Sequence, residues 1–484
     1  MGKLTAKSIT GLFWSSIERV GGQLVQFITG IILARLLSPY EFGIVGMLTI
    51  FMVISFLFIE SGFGTALIQK QDITHVDSCS IFYFNIGFSL VITVAISLSA
   101  PWIAEFYREP ILIPLTRVLS LNIVINAFGL IQTRLLTKAV DFKTQAKAGI
   151  AAVTISGILG ITLALKGFGV WSLVFQSVGN NFLRTIFLWF LSSWRPSLMF
   201  STRSLKEMFG YGSRILASGL LSTIGDNLYY AIIGRVFSAG ELGLYTRAKM
   251  FGQLPSQSIA SIVGRVTFPV FATIQHKPEK IKDGFKRALS MLAFLTFPLM
   301  TGIALTAKPM VILLLTEKWL PCVPFLQLIC VVGLMYPLHA ININLLKATG
   351  RSDLLFKLEI IKQGLVFLNI AIAWRWGVIA IIWGQIIISL ISYYLNSYYA
   401  GALINYRFVE QLKDLMPYFA VTLLMAASVY CVALINFKGN LKLLFSQIIC
   451  GVLVYSVASL VFKLSALKMY WLLLDSRSPS YQKK

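Results

Sequence analysis

Charge is scarce in this chain. Of its 484 residues only 13% are Asp, Glu, Lys or Arg, and 57% are hydrophobic. Soluble globular proteins carry about twice that share of charge. A single soluble core does not absorb so much apolar surface; a bilayer does, because apolar side chains can then face outward as well as inward. Acidic residues are the scarcer kind, 19 against 42 basic ones, for a net charge of +23. In a soluble protein that excess would suggest nucleic acid. In a membrane chain Lys and Arg instead collect in cytoplasmic loops and set orientation, so no nucleic-acid partner is expected. His75, His276 and His339 are too scattered for a metal site, and Cys79, Cys322, Cys330, Cys431 and Cys450 form no C-x-x-C pair. No metal, cofactor or catalytic residue is therefore expected. There is no P-loop, so any driving force must come from an ion gradient or the substrate gradient. The N-terminus, MGKLTAKSITGLFWSS, has no compact apolar stretch ending at a small-residue cleavage site. It reads as the start of the first helix, not as a removable signal.

Long apolar runs fill the rest. A spanning helix needs roughly 20 mostly apolar residues, and on that ruler helices fall at 12–36, 42–66, 79–100, 111–136, 145–165, 168–192, 209–237, 242–272, 286–306, 322–348, 355–374, 377–401, 415–436 and 441–462. The expected fold is all-α and integral to the membrane, with about fourteen transmembrane helices. With the N-terminus inside, the inside segments hold 26 Lys or Arg and the outside segments nine. That bias places both termini in the cytoplasm. The outer loops are short; SPYEF and KGF are two of them. They leave no room for an external catalytic domain.

The chain also repeats itself. Shifted by 200 residues, IILARLLSPYEFGIV (31–45) lies over AIIGRVFSAGELGLY (231–245) without a gap. Ile32, Arg35, Ser38, Glu41 and Gly43 meet Ile232, Arg235, Ser238, Glu241 and Gly243. Weaker matches, LLTKA (135–139) with LLKATG (345–350) and GVWSLVFQ (169–176) with GVIAIIWGQ (377–385), need a slightly larger shift. The expected organisation is two six-helix bundles, 1–200 and 201–401, followed by two further helices and a cytoplasmic tail in 402–484. An even number of helices per half makes this the parallel type of transporter repeat, with an axis along the membrane normal.

Several polar groups lie inside the expected spans. A charge at the bilayer centre costs roughly 2.5–3.5 kcal/mol on insertion scales, so a group of them implies a wet cavity or a partner. Ser15, Glu18, Gly22, Gln26 and Thr29 step by three or four and share one face of the first helix; Arg19 and Gln23 widen it. Arg117 and Arg184 follow in the fourth and sixth helices. In the seventh, Arg214, Ser218, Ser222 and Asp226 step by four. In the eighth, Arg247 and Arg265 lie about 27 Å apart along one face, with Lys249 near the first and Gly252 and Pro255, a place for a kink, between them. Glu359 and Lys362 form an i,i+3 pair in the eleventh. Cations outnumber anions in these spans, which suits an anionic substrate. Arg19, Arg184, Arg247 and Arg265, with Gln23 and Gln26, are the candidate substrate-binding residues. Glu18 and Asp226 are the candidate ion-coupling residues, because the charge of a buried carboxylate responds to how near an arginine stands.

The stretch WSSIERVGGQLVQFITGIILARLLSPYEFG (14–43) resembles the opening of Wzx-type polysaccharide exporters, and within them the branch of colanic-acid and teichuronic-acid exporters. Glu18, Arg19, Gly21, Gln23 and Phe27 match one pattern; Ala34, Arg35, Leu37, Pro39, Phe42 and Gly43 match another. This group lies in the multidrug/oligosaccharidyl-lipid/polysaccharide exporter superfamily. The resemblance implies a flippase in the bacterial cytoplasmic membrane, not an enzyme. Its substrate would be an undecaprenyl-pyrophosphate-linked oligosaccharide for O-antigen, capsule or exopolysaccharide. Its partners would be that lipid-linked substrate, membrane lipids and other membrane proteins of polysaccharide assembly. Helices 13 and 14 would form a lipid groove. Two alternatives remain open at this point: an ion-coupled drug or cation antiporter of the same superfamily, whose site should favour carboxylates, and a membrane polysaccharide polymerase or ligase, which should need a large external loop.

The loop charges generate a direct expectation. Reporter fusions at Gly439 and at Lys484 should report opposite compartments; the same compartment for both would overturn the fourteen-helix topology.

Overall fold

The computed structural model describes residues 2–59, 67, 73–435 and 437–467. Fourteen long helices stand among them: α1 (Gly2–Leu36), α2 (Pro39–Ile59), α3 (His75–Tyr107), α4 (Leu112–Lys138), α5 (Phe142–Leu165), α6 (Val170–Leu191), α7 (Thr202–Val236), α8 (Ala239–Thr273), α9 (Pro278–Leu305), α10 (Val323–Ala348), α11 (Ser352–Ala373), α12 (Gly377–Leu403), α13 (Phe408–Leu434) and α14 (Asn440–Val461). A short helix, Ala307–Leu315, and a 3₁₀ turn, Glu317–Cys322, link α9 to α10. The fold class is therefore the expected one, an all-α membrane protein. By length and composition ten segments among the described residues can cross a bilayer, and one of these, Ser352–Leu403, holds both α11 and α12. Helices α6, α7 and α8 fall outside that group. α6 carries Gln176, Asn180, Asn181 and Arg184 within 22 residues, so its apolar count is diluted by the polar side chains that matter below.

Helix ends depart from the expected ones for a common reason. A bilayer-length ruler stops where apolar residues stop, whereas a helix stops where its orphan amides are capped. α3 begins at His75, not 79, because Thr74 and Asp77 form a reciprocal capping box. α7 begins at Thr202, not 209, because Ser201 accepts from the Ser204 amide. α9 begins at Pro278, eight residues before the expected start, with a proline in the first turn, where a missing N–H costs nothing. The end of the second expected helix (60–66), the expected cytoplasmic tail from 468 onward, and the side chains of Arg214 and Ser218 lie outside the described residues.

The chain divides into two compact units, Met1–Gly243 and Leu244–Lys484. In the first, α1 packs on α5, α5 on α6, α6 on α4, α4 on α3, and α2 on α7. In the second, α9 packs on α10 and α13, α10 and α11 each on α12, and α13 on α14. The core of the second unit joins Phe285, Leu289 and Leu292 of α9 to Leu338 and Ile341 of α10 and to Tyr393 and Met425.

Small residues set the approach of helices in the first unit, as they do in membrane bundles, where lipid removes the hydrophobic drive between helices. A Cβ on Gly157 of α5 would sit 2.7 Å from Thr29 Oγ1 of α1, and one on Gly160 would sit 2.9 Å from Gln176 Cβ of α6. The repeated motif has the same physical content. Ser38 starts α2 with both its amide and its hydroxyl on the Glu41 carboxylate. Ser238 starts α8 by accepting from the Glu241 amide. Both copies are Ser-x-x-Glu N-terminal signatures. The glycines that follow make a reciprocal contact: a Cβ on Gly43 would fall 1.6 Å from the Ala239 carbonyl oxygen, and one on Gly243 would fall 1.8 Å from that of Pro39. Positions 39 and 239, and 43 and 243, are repeat mates. The start of α2 and the start of α8 thus touch with local two-fold symmetry, residue i on j and j on i.

Because the obstructing atoms are backbone, they cannot rotate away. Gly43→Ala and Gly243→Ala should each cost at least the 1–3 kcal/mol typical of overpacking, seen as a lower unfolding temperature and less monodisperse protein in detergent. Wild-type melting for both would show that the contact is not as close as described.

Candidate functional site

Polar side chains of the first unit converge between α4 and α6. On α4 the sequence places Asn122, Asn126, Thr133 and Arg134 on adjoining turns of one side; on α6 it places Ser177, Asn181, Arg184 and Thr185 likewise. The two rows are laced together. Asn122 Nδ2 donates to Ser177 Oγ at 3.3 Å, Asn181 Nδ2 donates to Asn122 Oδ1 at 3.1 Å, and Thr185 Oγ1 donates to the Ile125 carbonyl at 3.0 Å. Gly129 opens the seam: a Cβ there would touch Thr185 Oγ1 at 3.0 Å. Below the lacing lies a cavity of about 160 Å³, lined among others by Asn126, Thr133, Arg134, Asn181, Arg184 and Thr185.

Two guanidinium groups therefore face one small polar cavity. Arg184 is half covered and lies 3.8 Å from Glu18 Oε1 of α1. Arg134 Nε is buried with no hydrogen-bond partner. One carboxylate against two guanidinium groups leaves the cavity net positive. Between α1 and α6, a Cβ on Gly149 of α5 would lie 3.6 Å from Glu18 Oε1, an ordinary van der Waals contact. Amide, hydroxyl and guanidinium groups can bind an anion; among the described residues no group of His, Cys, Asp and Glu is suited to hold a metal.

The other expected site residues fall as follows. Glu18 and Arg184 are brought together. Arg19 follows Glu18 in sequence, but side chains at i and i+1 do not face each other on a helix. Arg19, Gln23 and Gln26 are exposed on α1, and Asp226 is exposed on α7. In the second unit Arg247 Nη1 donates to Met250 Sδ at 3.2 Å, and Arg265 is exposed. α8 runs as one helix through Pro255 and Pro269. Sequence reasoning missed Arg134, Asn126 and Asn181 as site residues. The signal was present: asparagines at 122 and 126, one turn apart in an apolar helix, with Thr133 and Arg134 two turns on.

A second cavity, of about 590 Å³, is apolar and lies along α9, α13 and α14 of the second unit; Leu295, Leu299, Ile448 and Val452 line part of it.

The fold is that of a polytopic, all-helical membrane protein. The solved structure of the lipid II flippase MurJ, inward closed conformation, superposes with a TM-score of 0.76 over 93% of this chain and 98% of that one, at 16% identity. An inward-facing multidrug resistance MATE family transporter of the MOP superfamily matches with a TM-score of 0.63 over 79% and 96%, at 17% identity. These likenesses concern the fold. The chain belongs to the polysaccharide biosynthesis protein family, whose sequence pattern matches residues 32–324. It is 28% identical over 438 residues, 90% of each chain, to the teichuronic acid biosynthesis protein TuaB of Bacillus subtilis (strain 168). It is 29% identical over 406 residues, 81% of each chain, to the lipopolysaccharide biosynthesis protein WzxC of Escherichia coli (strain K12).

The Glu18–Arg184 pair is testable by a double-mutant cycle. Both side chains are partly exposed, so solvent screening keeps the coupling small, about 0.5–1 kcal/mol. Glu18→Gln with Arg184→Ala should therefore destabilise less than the sum of the two single changes, read as unfolding temperatures in nanodiscs. Strict additivity would mean that the pair does not interact.

Proposed function

We propose that the chain is a flippase that carries an undecaprenyl-pyrophosphate-linked oligosaccharide from the cytoplasmic to the outer leaflet of the bacterial cytoplasmic membrane by alternating access. The observation that carries this reading is the net-positive polar cavity between α4 and α6, with Arg134 and Arg184 against the single carboxylate of Glu18. Pyrophosphate is a multiply charged acceptor-only group. Guanidinium forks and amide donors match it, and arginine can bind its oxygens in pairs. Membership of a polysaccharide biosynthesis family, and relatives named for teichuronic acid and lipopolysaccharide biosynthesis, support a glycan-bearing cargo. A drug or cation antiporter would call for the opposite balance, with carboxylates in excess.

In this reading the two six-helix halves, 1–200 and 201–401, alternate access, and both termini are cytoplasmic. Arg19, Arg247, Arg265, Gln23 and Gln26 contribute to the path of the headgroup together with the α4–α6 cavity. Glu18 and Asp226 couple transport to a proton: a carboxylate holds its charge when an arginine is near and takes up a proton when it is not.

The test is flipping of a fluorescent polyprenyl-pyrophosphate-linked oligosaccharide in proteoliposomes. Arg134→Ala and Arg184→Ala should each lower the rate at least tenfold with normal protein levels. Lys at either position should retain part of it, since charge survives and the planar fork does not. Glu18→Gln and Asp226→Asn should blunt the response to an imposed pH gradient. Wild-type rates in both arginine variants would remove the anion-site argument; an unchanged gradient response in both carboxylate variants would remove the coupling one.

A further inference from the structure

A third cavity, of about 610 Å³, opens at the end of the second unit where α9 and α13 begin and α14 ends; Lys286, Arg287, Lys413, Lys463, Asp414 and Tyr418 are among its lining. Its floor is built, not incidental. Lys463, with a left-handed backbone (φ 50°), turns the chain after α14, and the Leu464 amide closes back on the Ser459 carbonyl, the pattern of a helix-ending Schellman turn. The turned chain is then pinned to α13: Tyr418 and Ser465 hydroxyls are 2.8 Å apart, and the Ala466 amide donates to Tyr418 Oη at 3.2 Å. Leu464 and Ala466 are buried by this docking.

The charges around that floor do not cancel. Asp414 is taken twice, by Lys286 at 3.4 Å and by the Tyr406 hydroxyl at 2.6 Å. Burial first, then the hydrogen bond to Asp414 and its charge, push the Tyr406 phenol above its ordinary range, so Tyr406 stays a donor and Asp414 stays engaged. Lys286 also stands 4.9 Å over the Tyr406 ring. Arg287, Lys413 and Lys463 are exposed and have no acidic partner among the described residues. The apolar cavity of about 590 Å³ continues along the same three helices. One turn along α9, Ser290 of the basic cavity gives way to Phe294 and Leu295 of the apolar one; on α14, Phe462 gives way to Tyr455, whose hydroxyl bonds the Phe294 carbonyl at 2.9 Å.

A cationic cup at the helix ends, followed by an apolar trough running toward the middle of the bilayer, has the polarity profile of one lipid. We propose that the α9–α13–α14 seam holds an anionic glycerophospholipid, its phosphate among Arg287, Lys413 and Lys463 and an acyl chain against Leu295, Leu299, Ile448 and Val452. Basic pockets between transmembrane helices on the cytoplasmic side bind anionic headgroups in this way, and the Lys- and Arg-rich loops mark this as that side. The site lies wholly within the second unit and shares no residue with the α4–α6 cavity. It is a resident-lipid site, separate from the transported cargo.

The experiment is native mass spectrometry of the full chain released from vesicles of phosphatidylglycerol mixed with phosphatidylcholine, with retained lipid counted after detergent washing. Wild type should keep one phosphatidylglycerol and exclude phosphatidylcholine. Arg287→Ala/Lys413→Ala/Lys463→Ala should lower that retention at least tenfold, while Lys277→Ala/Lys280→Ala, exposed cations outside the cup, should not. Gly302→Leu tests the trough. Gly302 lines the apolar cavity and a Cβ there meets nothing within 4 Å, so a leucine side chain should occupy the cavity and displace the acyl chain with the fold intact. Equal retention of both lipids, or retention unchanged in the triple variant, overturns the proposal. Displacement by 10 mM inorganic phosphate would identify a free-anion site instead, and displacement by a polyprenyl pyrophosphate at equal concentration would assign the seam to the cargo. None of these readouts depends on flipping, so failure here leaves the proposed function standing, and the reverse also holds.

Discussion

Helices in lipid are not squeezed together by water, because the hydrocarbon between them is as apolar as their side chains. What holds them is contact distance, and contact distance depends on residues with no side chain to get in the way. The first unit is organised around this constraint. Gly157 and Gly160 let α5 lie against α1 and α6, the two helices whose Glu18 and Arg184 pair. Close packing at these two positions of α5 brings the helices that carry the polar pair near each other. Gly43 and Gly243 apply the same device to backbone, where each faces a carbonyl oxygen of the other repeat copy.

The price of polar groups in the membrane is met in two different ways. In the α4–α6 seam Asn122, Ser177, Asn181 and Thr185 are tied by hydrogen bonds across the two helices, which fixes them in one register. The residual capacity is concentrated in two guanidinium groups around a cavity. In the second unit His339 has both ring nitrogens occupied, Nε2 with Ser389 at 3.0 Å and Nδ1 with Asn396 at 3.2 Å. A histidine with both nitrogens engaged inside a packed helix pair ties the helices together. The contrast separates a polar cluster that is spent on structure from one that keeps donors in reserve.

Much of this was legible in the sequence. Run lengths of apolar residues located the helices, since hydrocarbon thickness imposes a minimum that few soluble elements meet. Their ends were less legible, because a capping residue such as Thr74 or Ser201 extends a helix past the point where hydropathy falls. The Ser-x-x-Glu-x-Gly repeat was visible as identity, but its meaning needed three dimensions: the serine and glutamate cap, and the glycine admits a carbonyl from a segment 200 residues away. For the candidate site, Glu18 and Arg184 each stood out as charges inside apolar runs. Their pairing did not, because nothing in the one-dimensional pattern says that α1 and α6 flank α5. Arg134 was hidden for the opposite reason. At the end of an apolar window an arginine reads as a loop cation, and only the lacing of α4 to α6 shows that its side chain turns inward.

The arrangement of α1 carries the reasoning one step further. Through Glu18, Gly21 and Thr29 the helix addresses α5 and the pair with Arg184. The single polar face expected from the sequence is split: Thr29 is buried and Glu18 partly so, whereas Arg19, Gln23 and Gln26 are on its exposed side. Were that side in contact with hydrocarbon, Arg19 alone would cost roughly 2.5–3.5 kcal/mol on insertion scales, and two glutamine amides without partners would add to it. The part of this 35-residue helix apolar enough to span is Phe13–Leu36, so Arg19 lies within two turns of its end, while Gln23 and Gln26 lie deeper. That cost falls where such side chains meet water, which is the environment the proposed headgroup path would give them. The same helix thus carries two sides, a close-packed one against α5 and an uncovered one that holds Arg19, Gln23 and Gln26.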